Sequence, residues 1–370
     1  MLYASNAFDF YYPLTGIKPL YWHMFSVGTA SSLLFLSHFS YLKILPKSLL
    51  IWGWAYLAIS IFGFLYSSQS DVAEQMLIFK VEAVALLFSF WLILHKDGNL
   101  KNARIGLVGI VIFGVCMNIV DFQTSAWTTT FGRAAGLYEN PNLSGKILVL
   151  SMLASIPLIP KKFRIIYCLF VGIGVLLTFS RSSWMLWALV VTGLAITGYF
   201  GQKSKGYIVG IVTLMAFFLV YSLITGGAVE LFVQLGLSDY LTSGTLARLG
   251  DDGGGFTDYS TAARIGSSMM ALNAFADNPW IGSGLGYTRE WSHIIPHSMY
   301  LINAAEGGLL ALGVFIAFLI ILWNMADKLG KVLVAGFAFY SLFSHTMLMQ
   351  PALLVLIPFF VDDHQDNAFD

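Results

Sequence analysis

Charge is scarce in this sequence. Asp, Glu, Lys and Arg make up 11% of its 370 residues, where a soluble domain carries about 25%, and the shortage excludes an ordinary water-soluble globule. Cysteine is scarcer still. Cys116 and Cys168 both fall in apolar runs and read as core thiols, so no disulfide framework is expected. A GxxxxGK[ST] phosphate loop, an HExxH pair and a Cys/His zinc spacing are all missing, as is any outer-side acidic pair suited to a catalytic metal. A metal-independent chemistry without cofactors is the simplest expectation. The first residues lack a basic stretch followed by an apolar core, so no cleavable signal peptide is expected.

What is present is apolar. Hydrophobic residues make up 57% of the chain and the mean hydropathy is +0.75. Runs of roughly 18 or more apolar residues recur, each long enough to cross ~30 Å of hydrocarbon. The expected fold is all-α, a polytopic transmembrane bundle. Its spans fall at 20–42, 48–66, 77–95, 105–121, 143–159, 164–180, 183–200, 207–225, 298–323, 332–349 and 351–361. Lys43 and Lys47, then Lys96, Lys101 and Arg104, then Lys161, Lys162 and Arg164, then Lys203 and Lys205, then Lys328 and Lys331 occupy alternate loops, which are therefore cytoplasmic. Three regions result: transmembrane helices over 1–225, one large outer loop over 226–297, and transmembrane helices over 298–370.

The outer loop is the only long polar interval, and a loop of that size is either functional or disordered. Within it, Ile265, Met269, Leu272 and Ala276 recur on one face of a helix. Ser260 or Thr261 is placed to cap that helix and Asp277-Asn278-Pro279 to stop it. Arg264 would then sit in the first turn, where anions bind readily; a solvated arginine on a lid helix is the competing reading. The run Asp251-Asp252-Gly253-Gly254-Gly255 reads as a hinge.

Sorting the cations by side is more informative. Cytoplasmic loops hold ten lysines and two arginines, whereas the outer side holds Arg133, Arg181, Arg248, Arg264 and Arg289. Lysine suffices to set topology, while the planar fork of arginine suits phosphate or carboxylate. Lys80 and Lys146 lie just inside the outer ends of their spans, where a charge lines an aqueous cavity, pairs or snorkels; Glu82 is placed to neutralise Lys80. Seven outer cations point to a pocket for an anion in the outer leaflet. Arg181, in a tight outward turn, must be satisfied by carbonyls, by a carboxylate such as Asp121, or by a ligand phosphate. His297 follows the long loop at the membrane boundary, where a neutral imidazole can accept a proton. His345, on the same side, is the second titratable candidate. Asn303 and Glu306 share a helical stripe and are expected to bond to another helix.

Four stretches carry a family likeness: GRAAGLYENPN at 132–142, TFSRSS at 178–183, RIGSSMMALNAFADNPWIGSGLG at 264–286 and HSMYLINAAEGGLLALG at 297–313. In this order and topology the chain resembles the bacterial O-antigen ligase and O-antigen polymerase (Wzy-like) membrane glycosyltransferases. The resemblance covers most of residues 130–325. It implies a GT-C-like bundle of about 11–12 spans in the bacterial cytoplasmic membrane, with a site facing the periplasm or cell exterior. It also implies a polyprenyl-diphosphate-linked glycan as donor and a glycan or lipid as acceptor. Membrane lipid and polysaccharide-assembly proteins would be partners, and nucleic acid would not.

By the same resemblance, Arg181, Arg264 and His297 are the functional residues and are expected to line one outward-facing cavity. The arginines would hold the diphosphate, with Arg133, Lys146, Lys80, Arg289 and His345 as further substrate-binding candidates. His297 would orient or deprotonate the attacking hydroxyl, with inversion if displacement is direct. Family members commonly have Asn after this histidine, and here it is Ser298. The competing classes are a transporter or channel for an anionic solute and a scaffold for polysaccharide assembly.

Overall fold

A computed structural model describes residues 3–96, 98–128, 132–138, 140–200, 259–290 and 295–361, and among these all regular structure is helical. The helices are α1 (Ala7–Thr15), α2 (Pro19–Leu36), α3 (Lys47–Tyr66), α4 (Asp71–Leu94), α5 (Asn99–Thr124), α6 (Pro141–Ser155), α7 (Arg164–Leu176), α8 (Arg181–Ile196), α9 (Tyr259–Asp277), α10 (Tyr287–Glu290), α11 (Met299–Met325), α12 (Lys328–Tyr340) and α13 (Pro351–Leu354). The chain divides into two compact units, one of Met1–Phe10 with Arg104–Ala263 and one of Tyr11–Ala103 with Arg264–Asp370.

Local chemistry starts the helices. Ser70 caps α4 by accepting from the Ala73 N–H, with Asp71 and Glu74 in the first turn, where carboxylates offset the helix dipole. Asn140 caps α6 by accepting from Asn142 and Leu143, with Pro141 in the first helical position, which its fixed φ favours.

Among the described residues, five helices are long and apolar enough to cross a membrane by length and composition: α3, α4, α5, α6 with the turn that extends it to Leu158, and α11 counted across its kink. Their outer faces are apolar as well. On α3, Ile51, Trp54 and Leu65 are 68%, 67% and 64% exposed, while Leu49, Trp52, Tyr56 and Ser60 face inward. A helix apolar all round is stable where lipid replaces water.

The eleven expected spans need correction. The helix expected over 332–349 ends at Tyr340, and 351–361 is a four-residue helix followed by a 3₁₀ turn at Ile357–Phe360. The run over 207–225 lies outside the described residues, as do Arg248 and the glycine run at 253–255. Cys168 is buried as expected, whereas Cys116 is exposed on the surface of α5.

The largest departure is α11, expected as one straight crossing. It breaks at Gly308 (φ 60°, ψ −154°). In a straight helix Tyr300 and Phe315 would stand about 22 Å apart. Instead their rings meet edge to face at 5.1 Å, so the two arms fold back on each other.

Candidate functional site

In the unit containing Arg181, the GRAAG loop and the TFSRSS turn form one hydrogen-bonded assembly. Arg133 is 4% exposed; its Nε donates to the Thr178 carbonyl at 2.9 Å and its Nη2 to Asn142 Oδ1 at 3.0 Å. The Ala134 N–H donates to Leu177 O. Asp121 takes four backbone donors, from Trp127 and Thr128 on Oδ1 and from Ala135 and Gly136 on Oδ2. Its carboxylate therefore folds the loop. Below it, Tyr138 donates to the Ala4 carbonyl at 2.6 Å, and burial pushes its hydroxyl pKa up.

Arg181 is the first residue of α8 and is half-buried. The turn before it carries Phe179 at φ 47°, a left-handed conformation that is strained for an aromatic residue. The Phe179 ring lies between Phe122 and Trp184. Buried Thr178, Ser180 and Ser183 bond among themselves around the turn. Ser183 also lies so close to Gly145 of α6 that an added Cβ there would meet its Oγ at 2.5 Å. Lys146, the next residue, is buried at 4% exposure.

The other unit holds Arg264, His297, His345, Arg289 and Lys80. Here residues 279–285 cross the break in α11. Ser283 and Gly284 donate to the Ala305 and Glu306 carbonyls at 2.9 and 3.0 Å. Leu309 donates to the Pro279 carbonyl at 2.8 Å and Leu310 to that of Trp280 at 3.4 Å. Four of the backbone groups at the break are thus satisfied by the chain itself, as an apolar surrounding favours. Only glycine allows this approach: a Cβ on Gly282 would lie 2.4 Å from Glu306 C, and one on Gly308 2.4 Å from Trp280 C. Leu285 then donates to Gly63 O at 3.1 Å, and Glu290 accepts from Ser68 and Ser70. These bonds tie the loop to the α3–α4 turn.

The helix before the crossing, α9, ends at Asp277 as expected but buries a different face. Ile265, Met269 and Leu272 are 58%, 56% and 45% exposed, and Ala276 is exposed too. The buried side is Ser267, Ala271 and Ala274, with the alanines against Ala305 and Leu301. Small residues let two helices approach closely, whereas the apolar period in the sequence marks the opposite side. Arg264 is the sixth residue of α9, beyond the first turn whose N–H groups are open to an anion. The contacts at Ala271 and Ala274, with Pro279 bonded to Leu309, make α9 run in the same direction as the first arm of α11. Arg264 and His297 consequently lie toward the same end of this helix pair, away from the break.

His297 sits one residue before the N-cap of α11. That cap is Ser298, whose hydroxyl accepts from Leu301 N at 3.4 Å. Serine and asparagine serve equally in this position. Met299 N–H donates to the carbonyls of Ser341 and Ser344, and Tyr300 Oη to that of Ala338. These bonds bring the segment after α12 against the start of α11, and the ring centroids of His297 and His345 lie 5.1 Å apart. The two titratable candidates form a pair.

Glu306 does bond to another helix, accepting on Oε1 from both the N–H and the hydroxyl of Thr288. Asn303 bonds instead to Met299 O of its own helix. Arg289 is half-buried and donates to Met349 Sδ at 3.8 Å. Burial lowers its pKa from the ordinary arginine value, and the Glu306 carboxylate opposes that shift. Glu82 does not neutralise Lys80; it bonds His23 of α2. Lys80 is 9% exposed, lies 4.8 Å from the centre of the Tyr56 ring, and borders a cavity of about 30 Å³ with Ser60, Asn303 and Glu306. That volume holds roughly two waters.

Arg181 therefore belongs to one unit, and Arg264 and His297 to the other. Sequence reasoning missed the crossing segment. Its signal was the glycine spacing of Gly282, Gly284 and Gly286 opposite Gly307-Gly308. No family model matches the chain, and a search of curated proteins finds no match.

Proposed function

We propose that the protein is a membrane glycosyltransferase of the O-antigen ligase or polymerase type, with a GT-C-like bundle in the bacterial cytoplasmic membrane. Its donor is a polyprenyl-diphosphate-linked glycan in the outer leaflet. Arg181 and Arg264 hold the diphosphate, and fixed cations stabilise the charge that develops as it leaves. His297, paired with His345, accepts the proton of the attacking sugar hydroxyl, and direct displacement inverts the anomeric carbon. The observation that carries this reading is the common direction of α9 and the first arm of α11, with Arg264 and His297 toward one end. Arg133 and Lys80 are better read as framework cations, given the Thr178 and Asn142 bonds of the one and the small cavity beside the other.

One observation favours a transporter of an anionic solute: a helix broken beside intramembrane charges is how many transporters build a binding site. Against it, four backbone groups at the break are already bonded to residues 279–284. Purified protein should be given a synthetic polyprenyl-diphosphate glycan and acceptor in one arm, and reconstituted in vesicles with labelled anions in the other. A new glycosidic bond supports the transferase. Anion flux without bond formation from any lipid-linked glycan rejects it.

A further inference from the structure

The mostly apolar cavity between α3, α4 and α11 carries two charged residues on its lining. An ammonium and a carboxylate border it. Lys80 is 9% exposed and Glu306 6%, and each borders the same space. Among the described residues, Lys80 donates no hydrogen bond, and its ammonium lies over the face of Tyr56. Glu306 engages Thr288 through Oε1, while its Oε2 accepts no bond among the described residues. No direct ion pair joins the two groups, and the pair nearby on α4, His23 with Glu82, occupies a different residue of that helix.

Two opposite charges that are buried and not in contact are costly unless something polar lies between them. The space has room for roughly two waters and is edged by the polar side chains of Ser60 and Asn303 as well. We propose that ordered water fills this cavity and bridges Lys80 to Glu306, forming a hydrated ion pair that fastens the crossing segment to the α3–α4 hairpin. A water accepts from the ammonium and donates to Oε2 at once, which no single ion can do. An anion would face the Glu306 carboxylate. A metal cation would face Lys80 and, beyond Glu306, Arg289. The charged and titratable groups around the site are Tyr56 on α3, Lys80 on α4, Arg289 on α10 and Glu306 on α11.

The bridge makes Lys80 a positioning residue for the outer loop. Glu306 holds Thr288, the next residue is Arg289, and Gly284 donates to the Glu306 carbonyl. The bridge does not depend on the glycosyltransferase reading, and its test needs no glycan.

The test uses the full chain in detergent or nanodiscs and reads thermal unfolding of Lys80→Met, Glu306→Gln and the double variant. Each single change strands one buried charge, so Tm should fall by roughly 5–10 °C. The double variant should recover at least half of that loss, and additive losses would overturn the pairing. Variants that do not fold leave a measurement on the wild type, X-ray radiolytic labelling, which hydroxylates rings in contact with bound water. Tyr56 (4% exposed) should label well above Tyr340 (1% exposed), and equal silence would show a dry cavity. Wild-type Tm should also be the same in chloride and gluconate. A chloride-specific rise that Lys80→Met removes would mean that an anion fills the site instead.

Discussion

Leu309 donates its backbone N–H to the carbonyl of Pro279 at 2.8 Å, across a helix that has come apart one residue earlier. The bond joins residues just after α9 to the middle of α11, so residues 279–285 of the outer loop are part of the packed unit.

This makes the glycines at the break testable. Gly308→Ala and Gly282→Ala should each lower the yield of folded protein sharply, because both residues have positive φ and lie 2.4 Å from backbone atoms at the Cβ position. Gly313→Ala, with nothing within 4 Å of its Cβ position, should be harmless or slightly stabilising. The readout is thermal stability in detergent, and a Gly308→Ala protein as stable as Gly313→Ala would contradict the crossing.

Ser298 gives a finer test. Its removal from the α11 cap in Ser298→Ala should cost about 0.5–2 kcal/mol, whereas Ser298→Asn should be neutral because asparagine caps as well. Chemical denaturation of the two variants decides it. Equal losses would show that the hydroxyl acts other than as a cap.

Arginines can be separated by what they hold. Arg133→Ala should destabilise the protein, since the Thr178 carbonyl and Asn142 lose their donor. Arg181→Lys and Arg264→Lys should leave folding intact and remove most glycan transfer, because lysine keeps the charge but not the bidentate fork. Transfer at wild-type rates by both lysine variants would dismiss the proposed diphosphate contacts.

His297→Ala should lower transfer by about 10²–10⁴-fold, the usual contribution of a general base, while donor binding persists. His345→Ala should have a smaller effect through its ring contact with His297, whose centroid lies 5.1 Å away. Single-turnover transfer and equilibrium donor binding, measured side by side, separate the two. An active His297→Ala enzyme would remove the base and shift attention to His345.

Chelation tests the metal-independent chemistry. Transfer should be unchanged in EDTA, and a loss restored by magnesium or manganese would defeat it.

Composition alone pointed to a helical chain with segments apolar enough to cross a membrane, since scarce charge and repeated apolar runs leave few other ways to satisfy a backbone. The caps at Ser70, Asn140 and Asp327 act through neighbours in sequence, and the stop at Asn278-Pro279 is equally local. Such features are readable from the chain. The face that α9 buries was not, because Ile265, Met269 and Leu272 announce an apolar stripe while close approach to Ala305 admits only alanine. The fold-back of α11 was equally hidden: the run over 299–325 is apolar enough for one crossing, and only donors and acceptors from residues 279–284 make the break at Gly308 stable. The partners of the charges follow the same rule. Glu82 found His23 instead of Lys80, Arg133 found a carbonyl, and Lys80 came to share a cavity with Glu306, more than two hundred residues away in the chain. Local sequence determines where a helix starts and what solvent it suits, whereas the neighbour that each buried charge meets is decided by long-range packing.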